Sequence, residues 1–366
     1  MNRRVLHISC GGLGYGGVSS VILSIVESLH GSFDFGCVVF NSKGGRENIF
    51  KKYGELYRIN AYSINGKRRI TEILFRSFRL YFGIKRVCKE NNYDVVHCHN
   101  NSEEGICLMA AKHAGVPIRI AHSHNTPSTR KRALLFRIIE KINKKMIQQN
   151  ATLFVGCSNA ACASFFGNSP YKVIYNAIDF SNYTIDQKSL NERNGKTFIH
   201  VGRYTYQKNQ EFVIRVFKHL LAKDNTFKLL LIGYGEDESM LRNLTKELNI
   251  VESVMFIDGK EADITSYYKI ADYMIFPSRY EGFGIVLLEA QSMRIHCFVS
   301  EAIQQEADAG LLTRLSLRQE PEEWANTIVD VISRMPKINY SILQEKLDKY
   351  SSTSVAREYE ELYRGT

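Results

Sequence analysis

The chain has 366 residues, 44% of them apolar and 23% charged, a composition suited to a soluble globular protein with room for two domains of ~150–200 residues rather than one core. No apolar run approaches the ~20 residues of a membrane span, and six prolines with no low-complexity tract argue against a disordered chain. The net charge of +10 is uneven: residues 1–180 carry 25 Lys and Arg against 11 Asp and Glu, giving +14, whereas residues 181–366 carry 23 against 27, giving −4. A basic N-terminal half points to an anionic ligand or membrane surface on that side, or simply to a solvated face. Nucleic acid is not expected, because no basic motif interleaved with aromatics is present. Eight cysteines without C-x-x-C spacing suit a reducing cytoplasm better than a disulfide framework.

Taken in chain order, "MNRRVLHISC" is too short in its apolar part for a secretory signal and reads as a first strand. "FDFGCVVFN", "LYRIN", "YDVVHCHN", "IRIAHSHN", "TLFVGCS" and "KVIYNAI" read as further strands. Helical patterns lie between them at Ser19–Leu29, Ile73–Glu90 and Glu104–Ala114. After the polar stretch Asp179–Lys196 the pattern restarts, with strands "TFIHVGR", "FKLLLIGYG", "SVMFIDG", "YMIFPS" and "HCFVSE". Strand–helix alternation with apolar strands predicts an α/β fold of two Rossmann-like, doubly wound parallel-sheet domains, 1–178 and 179–350. In such folds ligands meet the carboxyl ends of strands, so a two-domain version is expected to bind in the cleft that its domains face.

The first strand runs into Gly11, Gly12, Gly14, Gly16 and Gly17 before a helix, a loop that lets an anion or sugar approach the backbone. The absence of GK[ST] excludes a P-loop, and no acid ends "VVFNSKGG" to hold a dinucleotide ribose. "VHCHN" and "AHSHN" each place two histidines on one face of a strand end: His97 with His99, and His122 with His124. With Cys98 and Cys107 nearby they raise a metal site, but zinc sites usually add carboxylates or closer cysteine pairing, so no metal is expected. One of His122 and His124 is instead expected to meet a substrate hydroxyl, with His97 and His99 as packed, satisfied strand-end residues. In "HVGRYTYQKNQE" a strand ends at Gly202, Arg203 follows, and Lys208 stands at the start of a helix. Two cations beside a helix N-terminus can neutralise a departing diphosphate without Mg²⁺.

"LLLIGYGE" sets Gly233 and Gly235 after another strand, where a flat nucleotide could lie against the backbone. "FPSRYEGFGIVLLEA" then frames a helix start with Gly282 and Gly284, and carries Glu281 before the turn and Glu289 over a turn along the helix. The two glutamates could be an acid/base pair or two ligands of one extended molecule. An exposed helix acid is the plain reading of Glu289, although its "LLEA" setting is apolar.

The order of Gly202-Arg203-x4-Lys208-Asn209, "GYGE" and Glu281-x7-Glu289 resembles the donor domain of retaining GT-B glycosyltransferases of family 4. Gly16-Gly17, "YDVVHCHN", "IRIAHSHN" and "VIYNAID" resemble that family's signatures in sequence order, and "FVSEAIQQEADAGLLTRLSLRQEPEEWANTI" is similar to its bacterial exopolysaccharide and capsule branch. The resemblance implies a metal-independent transferase without cofactor, moving a sugar from a nucleotide sugar, with UDP expected, to a saccharide or lipid-linked acceptor with retained anomeric configuration. It implies an acceptor-side domain 1–178, onto which a C-terminal helix at 351–366 packs back, and a donor domain 179–350. The catalytic residues implied are Arg203, Lys208, Glu281, His122 and His124. Donor contacts are implied for Gly16, Gly17, Gly202, Gly233, Gly235, Ser278, Gly282, Phe283, Gly284, Ile285 and Glu289, with Glu289 on the ribose and Glu281 on the sugar.

Two basic, amphipathic stretches, "KRRITEILFRSFRLYFGIKRVCK" and "STRKRALLFRIIEKINKKMIQQ", combine Lys and Arg with apolar residues at helical spacing. They are expected either to pack as core with solvated charges or to place a cytoplasmic enzyme peripherally on the inner face of the membrane. A GT-B nucleotide-sugar 2-epimerase and a catalytically silent partner subunit are the alternative readings. Lys208→Ala is expected to abolish turnover with the fold intact.

Overall fold

A computed structural model describes residues 2–9, 12–40, 44–60, 70–99, 103–127, 134–335 and 340–365. The chain forms two compact units, Met1–Ala177 joined by Ser352–Thr366, and Ile178–Ser351.

The first unit runs β1 (Arg3–Ser9), α1 (Gly17–Leu29), β2 (Phe33–Phe40), α2 (Glu47–Phe50), β3 (Gly54–Ile59), α3 (Ile70–Asn91), β4 (Val95–Cys98), α4 (Glu104–His113), β5 (Ile118–Ser123), α5 (Leu134–Asn150), β6 (Leu153–Gly156), α6 (Asn159–Phe166) and β7 (Lys172–Val173). The second runs α7 (Gln187–Glu192), β8 (Thr197–Val201), α8 (Gln210–Lys223), β9 (Lys228–Gly233), α9 (Glu238–Glu247), β10 (Val254–Asp258), α10 (Ile264–Ile270), β11 (Tyr273–Phe276), α11 (Ile285–Ser292), β12 (His296–Ser300), β13 (Leu312–Leu315), α12 (Pro321–Ser333) and α13 (Tyr340–Asp348). The last helix, α14 (Ser352–Arg364), returns to the first unit.

Both sheets are parallel, in the orders β3-β2-β1-β4-β5-β6-β7 and β10-β9-β8-β11-β12-β13. Central strands such as "VLHIS" and "LLLIG" are buried along their length, as strands covered by helices on both faces must be. The period of two still matters. In β1, Leu6 and Ile8 enter the apolar layer formed with Leu80 and Ile84 of α3 and Leu108 of α4, whereas His7 points to the opposite face. That opposite face is covered by α14, which packs on α1 and β1 and buries Val355, Tyr359 and Tyr363. Arg3 fastens its end, donating to the carbonyls of Tyr363 and Arg364 at 2.8 and 2.7 Å, where the helix dipole favours a cation.

Sequence periodicity placed most of these elements. The strand expected from "KVIYNAI" shrinks to two residues, with Ile178 instead bridging to Ser351 in the second unit. The edge strand β13 carried no apolar run to announce it: "LTRL" is only half-buried. Among the described residues no helix is long and apolar enough to cross a membrane.

Candidate active site

In the second unit, the loops after β8 and β11 are stitched together by polar contacts. The Arg279 N–H donates to the Gln207 carbonyl at 2.8 Å, and its guanidinium reaches the Tyr206 carbonyl at 2.7 Å while lying over the Tyr206 ring. In return Gln207 Nε2 donates to the Tyr280 carbonyl at 3.0 Å. Asn209 adopts a left-handed conformation as the N-cap of α8, and its Nδ2 donates to the Pro277 carbonyl at 3.1 Å. Gln210 Nε2 donates to the Arg203 carbonyl at 3.0 Å. Beneath them Tyr204 is buried and donates to the Leu231 carbonyl, pinning the first loop to β9.

This stitching brings together two residues 73 apart in sequence: Lys208 Nζ meets Glu281 Oε1 at 2.5 Å and lies 4.7 Å from the Phe276 ring centroid. The side chains are 19% and 8% exposed, so the pair is largely desolvated and each partner depends on the other. Arg203, in contrast, is exposed and has no ion-pair partner among the described residues. Gly284 follows with φ of 87°, a conformation that glycine adopts without strain, and it starts α11. The first N–H groups of a helix lack intrahelical acceptors, so this end offers donors to an anion. Ser278 and Phe283 are enclosed, Phe283 against Tyr350, so their side chains are not ligand-facing and only their backbones remain for that role.

Glu289 stands one turn into α11 and is half-buried rather than exposed. Tyr268 Oη donates to its Oε2 at 3.0 Å, and Tyr183 supplies a second hydroxyl. Burial raises its carboxyl above the usual range, while the two hydroxyls oppose that shift. Gly233 and Gly235 have an explanation inside the unit. A Cβ on Gly233 would overlap the Gly202 carbonyl oxygen, and one on Gly235 the Tyr204 carbonyl oxygen. The packing of β9 against the β8 loop therefore requires both glycines, with or without a nucleotide.

In the first unit the expected strand-end histidines belong to a larger array. Parallel register pairs His7 of β1 with His97 of β4, and the next two positions bring His99 and His122 side by side. Five imidazoles consequently share one face of three adjacent strands. His7 Nδ1 bonds His99 Nε2 at 2.9 Å, His99 Nδ1 bonds His124 Nε2 at 2.8 Å, and His97 Nε2 bonds His122 Nδ1 at 3.0 Å. Tyr363 Oη of α14 closes the second chain on His97 Nδ1 at 2.8 Å. His97 and His99 are thus packed and satisfied, whereas the buried Nε2 atoms of His7 and His122 have no partner among the described residues. Glu104 is also buried and accepts the His122 backbone N–H at 2.7 Å, and burial holds its carboxyl well above the usual range. Burial lowers all five imidazoles, His7 and His124 to about 3, so the array is neutral at ordinary pH. His124 is half-exposed and His122 is not. The nearby cysteines take no part: Cys98 and Cys107 lie in the apolar layer on the other face.

Sequence reasoning missed His7, Gln207, Tyr268 and Tyr183. His7 could have been found from "LHIS", a strand with a histidine between apolar neighbours, but its partners lie 90 residues away. Gly16 and Gly17 begin α1, with Gly16 as N-cap and open space around it; Gly11 falls outside the described residues.

Comparison with known proteins places these features. Residues 15–182 match the family model "Glycosyltransferase Family 4", and residues 182–309 match "Glycosyl transferases group 1". EpsF of Bacillus subtilis, named as a glycosyltransferase, is 29% identical over 352 residues, covering 89% of this chain and 87% of that protein. The capsular polysaccharide biosynthesis glycosyltransferase CapH of Staphylococcus aureus is 28% identical over 73% of this chain and 76% of its own. An N-acetylgalactosaminyltransferase of Campylobacter jejuni, whose named acceptor is N-acetylgalactosamine-N,N'-diacetylbacillosaminyl-diphospho-undecaprenol, is 26% identical over 76% and 75%. Among solved structures, HepE of Anabaena in complex with UDP and glucose superposes with a TM-score of 0.81 over the full length of both chains at 16% identity, which shows the GT-B fold.

Proposed function

Because the chain belongs to the family 4 glycosyltransferases, we propose that it transfers a sugar from a UDP-linked donor, with retention, to a lipid-linked saccharide in surface-polysaccharide synthesis. The observation that carries the donor half of this reading is the Lys208–Glu281 pair held beside the N-terminus of α11. Lys208, exposed Arg203 and the helix N–H groups together would offer positive charge to a diphosphate, taking the place of a divalent cation there. Glu281 would exchange part of its contact with Lys208 for the sugar hydroxyls, and Glu289, oriented by its two tyrosines, would accept from the ribose hydroxyls. Both glutamates then act as hydroxyl acceptors along one extended ligand. UDP and the lipid-linked acceptor are drawn from the names of the relatives, HepE bound to UDP and the Campylobacter enzyme acting on a diphospho-undecaprenol.

The acceptor side is read from the first unit. Helices α3 and α5 flank α4 on one face. Leu74, Phe75, Phe78 and Phe82 of α3 and Leu134, Phe136, Ile138 and Ile142 of α5 are solvent-exposed among Arg79, Lys85, Arg137 and Lys141. Exposed rings beside cations suit an anionic bilayer surface, where a peripheral enzyme would meet a lipid-linked acceptor. The basic run Arg130, Lys131 and Arg132 lies outside the described residues.

Incubating the protein with labelled UDP-sugars and undecaprenyl-diphosphate saccharides tests the reading. Release of UDP coupled to product with the donor's anomeric configuration, read by NMR, is the expected result. Interconverted donor sugar, or donor binding without turnover, would overturn it. Phe78→Glu with Phe82→Glu should reduce co-sedimentation with anionic vesicles; unchanged sedimentation would remove the membrane half alone.

A further inference from the structure

The histidine array of the first unit has a feature that a single contact to a substrate hydroxyl does not explain. It places five neutral imidazoles on one sheet face, four of them buried, and leaves the Nε2 atoms of His7 and His122 without partners among the described residues. An unsatisfied buried nitrogen costs stability that an apolar side chain would not, and in a native fold such orphans call for a water, an ion or a chemical role.

Two groups in the array bring three ligand nitrogens within 4.8 Å of one another: His7, His97 and His99, and His99, His122 and His124. The hydrogen-bond pattern separates them. In the first group both nitrogens of His97 and of His99 are already engaged by neighbours. In the second, His122 Nε2 is unengaged among the described residues, and the one bond there that an ion would replace is the 2.8 Å contact of His99 Nδ1 with His124 Nε2. A tetrahedral cation at ~2.0–2.1 Å from each nitrogen sets its ligand atoms about 3.3 Å apart. That spacing lies between the 2.8 Å pair and the 4.8 Å limit of the group, and the stacked rings of His122 and His124, 3.8 Å between centroids, must swing apart for their nitrogens to converge on one ion.

We propose that His99, His122 and His124 form a three-imidazole site for a borderline-soft divalent cation of the zinc class. The remaining hydrogen bonds already have the form that such ligands require. His99 Nε2–H would donate to His7 Nδ1, and His122 Nδ1–H to His97 Nε2, whose Nδ1–H would donate in turn to Tyr363 Oη. Each buried ligand thus has its tautomer fixed by an outer partner, the arrangement that orients metal-bound histidines. His124, the half-exposed member, marks the entry side, and the fourth coordination position is left for water or a hydroxyl oxygen. This site lies wholly within the first unit, apart from the diphosphate clamp in the second, but it takes up His122 and His124, the residues expected from sequence to meet the substrate, so an ion there would replace that contact.

The test uses the full chain, stripped with a chelator, dialysed against zinc sulfate and then against metal-free buffer. Elemental analysis should find about one zinc per chain, and cobalt(II) in its place should give the visible absorption of a low-symmetry nitrogen site. His99→Ala and His124→Gln should each lower retained zinc more than about tenfold, while His30→Ala, on an exposed turn outside the array, should not. If His99→Ala fails to fold, His124→Gln at the half-exposed edge carries the test. Folded wild-type chain retaining less than about a tenth of a zinc, or zinc retained equally by His124→Gln, would overturn the site.

Discussion

Acidification is a sharp perturbation of this protein because the buried imidazoles must stay neutral to stay buried. The ordinary imidazole value is near 6.5, and burial lowers His7 and His124 to about 3. Between those values the unfolded chain holds more protons than the folded one, so stability rises with pH across the window. The contribution is complete above pH 6.5 and is lost as pH falls below it. At pH 5 each of these rings costs about 2 kcal/mol, so two of them remove about 4 kcal/mol of a total near 5–15 kcal/mol. The second unit bears a similar burden from His200 and His296, each lowered to about 4. The first unit adds His97, His99 and His122, all displaced in the same direction. It should therefore fail first. Trp324 is the sole tryptophan of the chain and lies in the core of the second unit, so its emission reports that unit alone. In chelator-containing buffer, a stepwise titration from pH 7.5 to 4.5 should show helical circular dichroism falling before Trp324 emission shifts. Coincident transitions, or a urea midpoint unchanged between pH 7.5 and 5, would refute the reasoning.

Other substitutions probe the donor loops. Lys208→Ala should abolish transfer, but it also strands the Glu281 carboxylate. Removing one partner of a buried pair costs about 3–5 kcal/mol, and the 19% exposure of Lys208 places this case at the lower end. The fold is therefore weakened, contrary to the expectation from sequence, and Lys208→Met with Glu281→Gln should recover the urea midpoint without recovering activity. Gly233→Ala should destabilise the second unit by about 2–4 kcal/mol in denaturant, since its methyl meets the Gly202 carbonyl; a change below about 0.5 kcal/mol would show that β8 and β9 can separate freely. Tyr268→Phe removes one donor from Glu289 and should weaken UDP binding about five- to tenfold by calorimetry, while narrowing the preference for UDP over 2′-deoxy-UDP. An unchanged preference would separate Glu289 from the ribose.

The two parallel sheets were legible in the sequence because buried strands need continuous apolar runs and their helices need amphipathic ones. "LLLIG" and "VLHIS" can satisfy their surroundings in few other ways. The positions of Arg203, Lys208 and Glu281 in the loops after strands, and of Glu289 on the helix that follows one, were equally legible, since in this topology chain order fixes which segments reach the carboxyl edge. Tertiary structure decided what those residues touch. Glu281 looked like a free ligand in "RYEGFG", yet the bonds of Gln207, Asn209 and Arg279 bring Lys208 onto it. Gly233 and Gly235 looked like nucleotide positions, yet a neighbouring carbonyl requires each of them. The histidine array shows the division best. Each H-x-H pair is a local consequence of a strand's period of two, readable wherever it occurs. That His7 joins them, and that His99 stands beside His122, depends on the register between strands far apart in sequence. Register is set by the packing of whole faces, which no single stretch of sequence contains.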